Sequence, residues 1–432
     1  MKLYSTNNKA HFVGLKEAVL KGLPEDNGLY MPERIPTLPS SFLENLEQYS
    51  FQDIAFTVAN TLLQNALPES ELKNIVYEAV NFPAPVVDLN DSLHILELFH
   101  GPSLAFKDFG ARFMARLMGY FNKEEEKDLV ILVATSGDTG GAVAYGFLNT
   151  PGIRVVILYP SGKVSPLQEK QLTTLGNNIT ALEIDGTFDD CQALVKKAFL
   201  DQDLRSKIRI SSANSINIAR LIPQSFYYFE AFKQLKEKEN VTFVVPSGNF
   251  GNLTAGILAK RMGLNIDHFI AATNINNVVP EYLSSGRYTP RLSKRTISNA
   301  MDVGNPSNFA RMDDLYCSTW NNFKQEITGY CITDHETEKE IQDIYKEYNY
   351  IIDPHGAVGT LSAKKHKLLN QKANLVVLET AHYSKFKETV DGVLDIDTDI
   401  PKRLKTLMQR KKQAESLDIT YDTFKNWLEH NL

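Results

Sequence analysis

The chain has little cysteine: three Cys in 432 residues. Cys191, Cys317 and Cys331 are odd in number and far apart, so they form neither a disulfide framework nor a metal knuckle. This usage suits a reducing compartment, and each thiol reads as buried filler rather than as a nucleophile. Long apolar runs are missing too. None approaches the roughly 18 residues that a membrane span requires. The opening Met1–Asn8 carries no apolar signal core. The expectation is a cytoplasmic protein with no membrane partner. Positive charge is not in excess: a net charge of −6 argues against non-specific nucleic-acid binding. No metal site is expected.

What is present is an ordinary globular composition, 43% hydrophobic and 23% charged, which leaves no need for disorder. The length predicts two or three domains. Residues 1–85 read as mostly helical, interrupted at Pro24–Pro32, where Asn27-Gly28 favours a tight turn. Ile54, Val58, Leu62 and Leu63 keep helical spacing. After the joint Phe82-Pro83-Ala84-Pro85 the pattern changes. Short apolar runs at 129–133, 153–158, 179–184, 208–211, 241–245, 268–273 and 374–378 alternate with helical segments. Continuous apolar strands separated by helices predict parallel sheets covered on both faces. Two α/β lobes follow, with a site at the carboxyl ends of the strands. The segment 286–312 is long, polar and irregular, as functional or mobile loops are. From Pro401 the chain reads as charged surface helix.

One stretch organises the rest: His100 to Gly110, with Lys107 where a helix should begin. Beyond it Phe109, Phe113, Met114, Leu117, Met118 and Phe121 recur at helical spacing. A lysine in a first helical turn sits at the positive end of the dipole, which disfavours its ammonium form. Burial pushes the same way. Such an amine can form a Schiff base or take a proton. A lysine closing an ordinary helix end is the plainer reading of the position alone.

Four further stretches bear on that choice. Thr135 to Gly141 follows a strand and precedes a helix, so its N–H groups could hold an anion; a tight turn explains the same glycines equally well. Ser247-Gly248-Asn249-Phe250-Gly251-Asn252 has the same setting and more of an anion nest. It is neither a P-loop nor a dinucleotide fingerprint, because the glycines fall three apart and no Gly-x-x-x-x-Gly-Lys occurs. A phosphate monoester without metal suits it. Thr380 ends a strand, as a hydroxyl aimed into the site or as a strand-end cap. Asn214, Ser215 and Arg220 suit a second phosphate, though Arg220 could be an ion-pair partner. A Schiff-base lysine, a phosphate nest and a hydroxyl partner together suggest pyridoxal 5'-phosphate.

With these residues in view the sequence resembles the threonine synthase family, within the fold-type II pyridoxal-phosphate enzymes. The resemblance rests on Gly22–Glu33, Gly101–Gly110, Thr135–Gly140, Ser161–Gln168, Ser247–Asn252, Met301–Asn308 and Asp353–Gly359, in that order. It implies a tryptophan synthase β-like fold of two parallel-sheet lobes. A helical domain would span 1–85, a large cofactor lobe 86–108 and 236–400, a small lobe 109–235 and a helical tail 401–432. Lys107 would join the cofactor aldehyde. Gly248, Asn249, Phe250, Gly251 and Asn252 would cradle its phosphate, and Thr380 would face its ring nitrogen. Asp138 would lie by its phenolic oxygen, where many relatives carry asparagine. Ser136 and Thr139 would bind the substrate carboxylate, and Asn214, Ser215 and Arg220 its phosphate. His355, between proline and glycine, reads as structural in a turn. The family's His-Pro-Ala reads His382-Tyr383-Ser384 here.

The reaction implied is conversion of O-phospho-L-homoserine and water to L-threonine and phosphate, by a monomer or homodimer. A phospholyase on the same scaffold would release 2-oxobutyrate and ammonia instead. A dehydratase or sulfhydrylase needs no second phosphate site, so Asn214 to Arg220 argue against those. Intact Lys107, Ser247 to Asn252 and Thr380 argue against a non-catalytic metabolite-binding protein.

Overall fold

The computed structural model describes residues 1–135 and 137–432. Ser136, expected to bind substrate carboxylate, lies outside the described residues.

In chain order the strands are β1 (Lys2–Ser5), β2 (Asn8–Gly14), β3 (Tyr30–Pro32), β4 (Val86–Asn90), β5 (Leu93–Glu97), β6 (Leu129–Ala134) and β7 (Ile153–Pro160). There follow β8 (Ile179–Ile184), β9 (Arg209–Ser212), β10 (Val241–Pro246), β11 (His268–Thr273), β12 (Ile327–Cys331), β13 (Asn374–Glu379) and β14 (Glu415–Leu417). The larger sheet runs β12-β11-β10-β13-β5-β4, parallel except for the edge pair β4 and β5. The smaller runs β14-β8-β7-β6-β9 and is parallel throughout. The central strands β6, β10 and β13 are buried at every residue. That is why they read as unbroken apolar runs rather than alternating ones.

The helix Lys107–Asn122 opens at the lysine. All six apolar positions expected to face inward are buried, and Phe109, Phe113, Met114, Leu117 and Met118 are fully so. Phe109 packs against Phe51 and Phe82 of the N-terminal region and against Tyr227, with ring centroids 4.7–5.9 Å apart. Aromatic area of this size fixes where the helix, and so its first residue, must lie.

Residues 40–80 hold the expected helices, Phe51–Leu63 and Glu69–Ala79. Ahead of them β1, β2 and β3 form an antiparallel sheet that the sequence reading did not include. Only one residue of β2 is buried, so no alternating apolar signature marks it. Its sheet is completed by β3, which lies beyond the Asn27-Gly28 turn. In that turn Asp26 Oδ1 accepts hydrogen bonds from the Gly28 N–H and the Ser5 hydroxyl.

The segment from Pro401 is more than surface helix. Two helices, Lys402–Met408 and Tyr421–Asn431, flank β14, which extends the smaller sheet beside β8. Phe424 and Leu428, four residues apart, are fully buried against the core that includes Leu182, Ile184 and Cys191. A two-residue stripe among charges is a weak sequence signal for so buried a contact. Cys191 is the buried thiol; Cys317 is exposed and Cys331 half-buried, so the filler reading holds for the first. No helix among the described residues is long and apolar enough to cross a membrane.

Replacing Phe424 by Ala should cost about 3–5 kcal/mol, the usual range for a fully buried phenylalanine. A urea unfolding curve would show it as a lowered midpoint. A loss within about 0.5 kcal/mol, as at a surface site, would show that the tail is not part of the core.

Candidate active site

Lys107 is placed by backbone. The Phe106 N–H donates to the Thr380 carbonyl at 2.9 Å, and the His382 N–H donates to the Leu104 carbonyl at 3.1 Å. Ala105 and Ala381 form an antiparallel bridge between them. The start of the lysine helix is thus tied to the end of β13, and Lys107 and Thr380 line one cavity of about 550 Å³. The cavity lies beyond the carboxyl ends of β6, β10 and β13, the position an open parallel sheet provides for ligands.

Burial lowers the Lys107 amine to about 8. Asp138 opposes the shift, while Lys385 and Arg220 add to it. Asp138 opens the helix Asp138–Phe147, and its Oδ2 lies 3.9 Å from Lys107 Nζ. Its Oδ1 is held from behind, 2.7 Å from Lys385 Nζ and accepting a hydrogen bond from Gln168 Nε2 at 2.8 Å. Burial disfavours the carboxylate, but the two ammonium groups and these hydrogen bonds overcome it and hold Asp138 ionised, well below the usual range. The preceding Gly137 has φ of +140°, and a Cβ there would meet the Gln168 amide at 2.5 Å. Glycine is therefore required for the contact that orients Asp138. Thr135 Oγ1 accepts from the Gly137 and Gly140 N–H groups, both at 2.9 Å.

After β10 the chain turns through Ser247–Phe250 into the helix Gly251–Arg261. Phe250 takes a left-handed conformation, φ +60°, an uncommon one for a bulky side chain that is typical of functional turns. Asn252 ties the turn down: its Oδ1 accepts from the Ser247 hydroxyl at 2.6 Å and its Nδ2 donates to the Pro246 carbonyl at 2.8 Å. A Cβ on Gly248 would come within 2.8 Å of the Ala300 carbonyl and 2.9 Å of Met301 Cα. The segment 286–312, expected to be functional or mobile, thus closes over the nest. Ser307 donates to Asn249 Oδ1, and Asp302 accepts from Thr296, Asn274 and Asn276. The helix N-terminus and this turn make a cradle for an anion with no metal needed.

Asn214, Ser215 and Arg220 line the same cavity. Arg220 is buried, and its Nη1 donates to the Ala213 carbonyl at 2.7 Å. Its Nε is buried with no hydrogen-bond partner among the described residues. Burial lowers this guanidinium to about 10, and Asp108 is the charge that opposes the shift. A buried cation with a spare donor on a cavity wall is a site for an anion. Thr139 lines the same cavity.

Against this geometry the relatives are informative. The sequence family described as pyridoxal-phosphate dependent enzyme matches residues 80–381. Those described as threonine synthase N terminus and threonine synthase, C-terminal match 2–80 and 356–427. The threonine synthase of Escherichia coli strain K12 is 43% identical, with 94% of each chain covered. The chain belongs to the threonine synthase family.

Solved threonine synthases superpose throughout. The Escherichia coli structure has a TM-score of 0.92 at 40% identity, covering 100% of both chains. The pyridoxal-phosphate-bound one from Brucella melitensis has 0.94 at 35%, covering 100% of this chain and 99% of that one. As a member of the threonine synthase family the protein has the fold-type II architecture and is a lyase of threonine biosynthesis. Its cofactor is pyridoxal 5'-phosphate.

Apart from Ser136, every expected residue lines the cavity. Two groups were missed. Gln168 ends the stretch Ser161–Gln168 that carries the family resemblance, but its role shows only in the fold. Lys385 lies among Ser384, Phe386, Lys387 and Glu388, where nothing in the sequence sets it apart from a surface lysine. His355 is not in a turn but in the first turn of the helix Pro354–Leu369, capped by Asp353. The Ala300 N–H donates to its Nε2 at 3.2 Å, which leaves the ring proton on Nδ1, 2.6 Å from Asp353 Oδ2.

Because burial lowers Lys107, its free amine should dominate above about pH 8 rather than above 10.5. In cofactor-free protein, the rate of Lys107 acylation measured by peptide mapping should rise through pH 8 and then level off. A profile still climbing at pH 10 would contradict the burial described.

Proposed function

We propose that this protein converts O-phospho-L-homoserine and water to L-threonine and phosphate, acting in the cytoplasm as a monomer or homodimer. One observation supports this reading above the rest: two separate stretches of wall suited to anions, the turn 248–252 and Asn214 with Ser215 and Arg220, line the one cavity that Lys107 lines. The first suits the cofactor's phosphate, and the other leaves a phosphate place for the substrate.

In this reading Lys107 holds the cofactor aldehyde, the turn 248–252 its phosphate, and the Thr380 hydroxyl its ring nitrogen. The cofactor, when bound, supplies the electron sink that makes the substrate α-proton acidic. Lys107 Nζ, freed by the substrate amine, is a positioned base for that proton and later returns one. An amine lowered to about 8 by burial is matched to that exchange near neutral pH. A hydroxyl at the ring nitrogen does not enforce protonation there as a carboxylate would, so negative charge can pass on to the side chain. Thr139, with Ser136, orients the substrate carboxylate. Asn214, Ser215 and Arg220 hold the phosphate through its departure, and Arg220's fixed charge stabilises the charge that grows on it. A phosphate retained there can orient the attacking water.

Incubating the cofactor-loaded protein with O-phospho-L-homoserine should yield threonine and phosphate in equal amounts. Production of 2-oxobutyrate and ammonia would replace this reading with a phospholyase.

Arg220→Ala should leave cofactor absorption intact and reduce kcat/KM for the phosphorylated substrate at least 100-fold, about 2.7 kcal/mol of lost stabilisation. Unchanged kinetics would remove Arg220 from the substrate site.

A further inference from the structure

Lys385 is fully buried, yet it takes no place on the cavity wall. It lies in the turn Tyr383–Phe386, directly after the stretch tied to the lysine loop. Its Nζ donates to the Ser103 carbonyl at 3.0 Å and meets Asp138 Oδ1 at 2.7 Å. The Ser103 N–H in turn donates to Asp108 Oδ2 at 2.8 Å. Lys385 therefore grips the loop before Lys107 with one N–H and the carboxylate beside Lys107 with another. Gln168 saturates the same oxygen of Asp138. Only Oδ2 is left to face Lys107.

We propose that Lys385 is a positioning residue that neutralises Asp138 from behind, so that the carboxylate accepts a proton contact at Lys107 without trapping that nitrogen as a cation. A buried carboxylate without Lys385 would be an unbalanced charge 3.9 Å from the reacting nitrogen. It would favour the protonated nitrogen and withhold the free amine that exchange with substrate needs. An asparagine at 138 would need no such partner. The aspartate and the buried lysine form a matched pair.

The groups around this nitrogen are few. Lys107 faces Asp138 from the helix Asp138–Phe147, Lys385 from the turn after β13 and Arg220 from the helix Ile218–Leu221. Asp138 faces Lys107 and Lys385. Asp108 feels Lys385 as well, and burial raises its carboxyl to about 6. The two single substitutions must therefore act in opposite directions at Lys107. Losing the positive charge of Lys385 stabilises the protonated nitrogen. Losing the negative charge of Asp138 destabilises it.

The inference rests on Lys107 carrying the cofactor, as proposed above. The test is a pH titration of the cofactor's visible absorption in the loaded enzyme, which reads the proton at that nitrogen and not turnover. Lys385→Gln should move the midpoint up by about one pH unit, a tenfold change in the proton equilibrium. Asp138→Asn should move it down by a similar amount. The double variant, neutral at both positions and still able to hydrogen-bond, should return close to the parent value. Shifts of the same sign, a midpoint that stays put in both single variants, or a double variant that fails to return would each overturn the proposal. If Lys385→Gln does not fold, the double variant compared with Asp138→Asn decides, because removing the Lys385 charge must raise the midpoint there as well. Lys107→Ala is the control. A visible band that survives it would overturn the assignment of Lys107, whereas a band lost there but with the same midpoint in Asp138→Asn and the double variant would overturn only the role of Lys385.

Discussion

The site depends on a short backbone bridge. Residues 104–106 and 380–382, far apart in sequence, exchange two main-chain hydrogen bonds. No side chain is needed for that contact, so it fixes Lys107 and Thr380 relative to each other whatever surrounds them. The bridge extends β5 and β13, which already pair from Leu93 with Leu375 to Glu97 with Glu379. A parallel pair continued into a local antiparallel bridge sends one chain straight into the lysine helix and the other into the turn that carries Lys385. Lys107 is thus mounted beside the centre of the larger sheet, while the helix behind it packs against the helix Asp138–Phe147 of the other lobe.

Much of this was legible in the sequence, for identifiable reasons. The central strands announce themselves because both faces are covered and nearly every residue is apolar. The lysine helix announces itself because Phe109, Phe113 and Leu117 lie on one buried stripe. The nests at 135–141 and 247–252 were visible because backbone that must present N–H groups needs glycine, and glycine is conspicuous. Their roles were legible only jointly, and the order of the motifs added what no single one held.

What stayed hidden shares a cause: each feature depends on a partner distant in the chain. The N-terminal sheet is specified by pairing between β1 and β3 across a turn, not by alternation within β2. The buried stripe of the last helix is two residues, Phe424 and Leu428. Lys385 is an unremarkable lysine until the fold sets it 2.7 Å from Asp138. The charge state of Asp138 was unreadable for the same reason, since an isolated buried carboxylate would be protonated and only its neighbours reverse that. His355 was placed in a turn because proline and glycine flank it. Proline at the first helical position and an aspartate cap explain the same residues as a helix start.

Two buried cations near the cavity are treated differently, and the difference separates structure from function. Arg311 is fully buried and spends its donors on the Tyr30, Ser215 and Ile216 carbonyls and on Asn308 Oδ1. It holds the loop at Ser215 and Ile216 against β3 of the N-terminal sheet. Arg220, equally enclosed, binds one carbonyl and leaves Nε without a partner among the described residues. A guanidinium desolvated without a full set of acceptors costs free energy in the resting protein. In the role proposed for Arg220, a dianion placed beside it would return that cost at the moment of binding, and more so as charge builds on the departing phosphate. Phosphate binding in that role should stabilise the protein by mass action. This is the usual tension between a stable interior and a prepared site, and here it falls on one nitrogen.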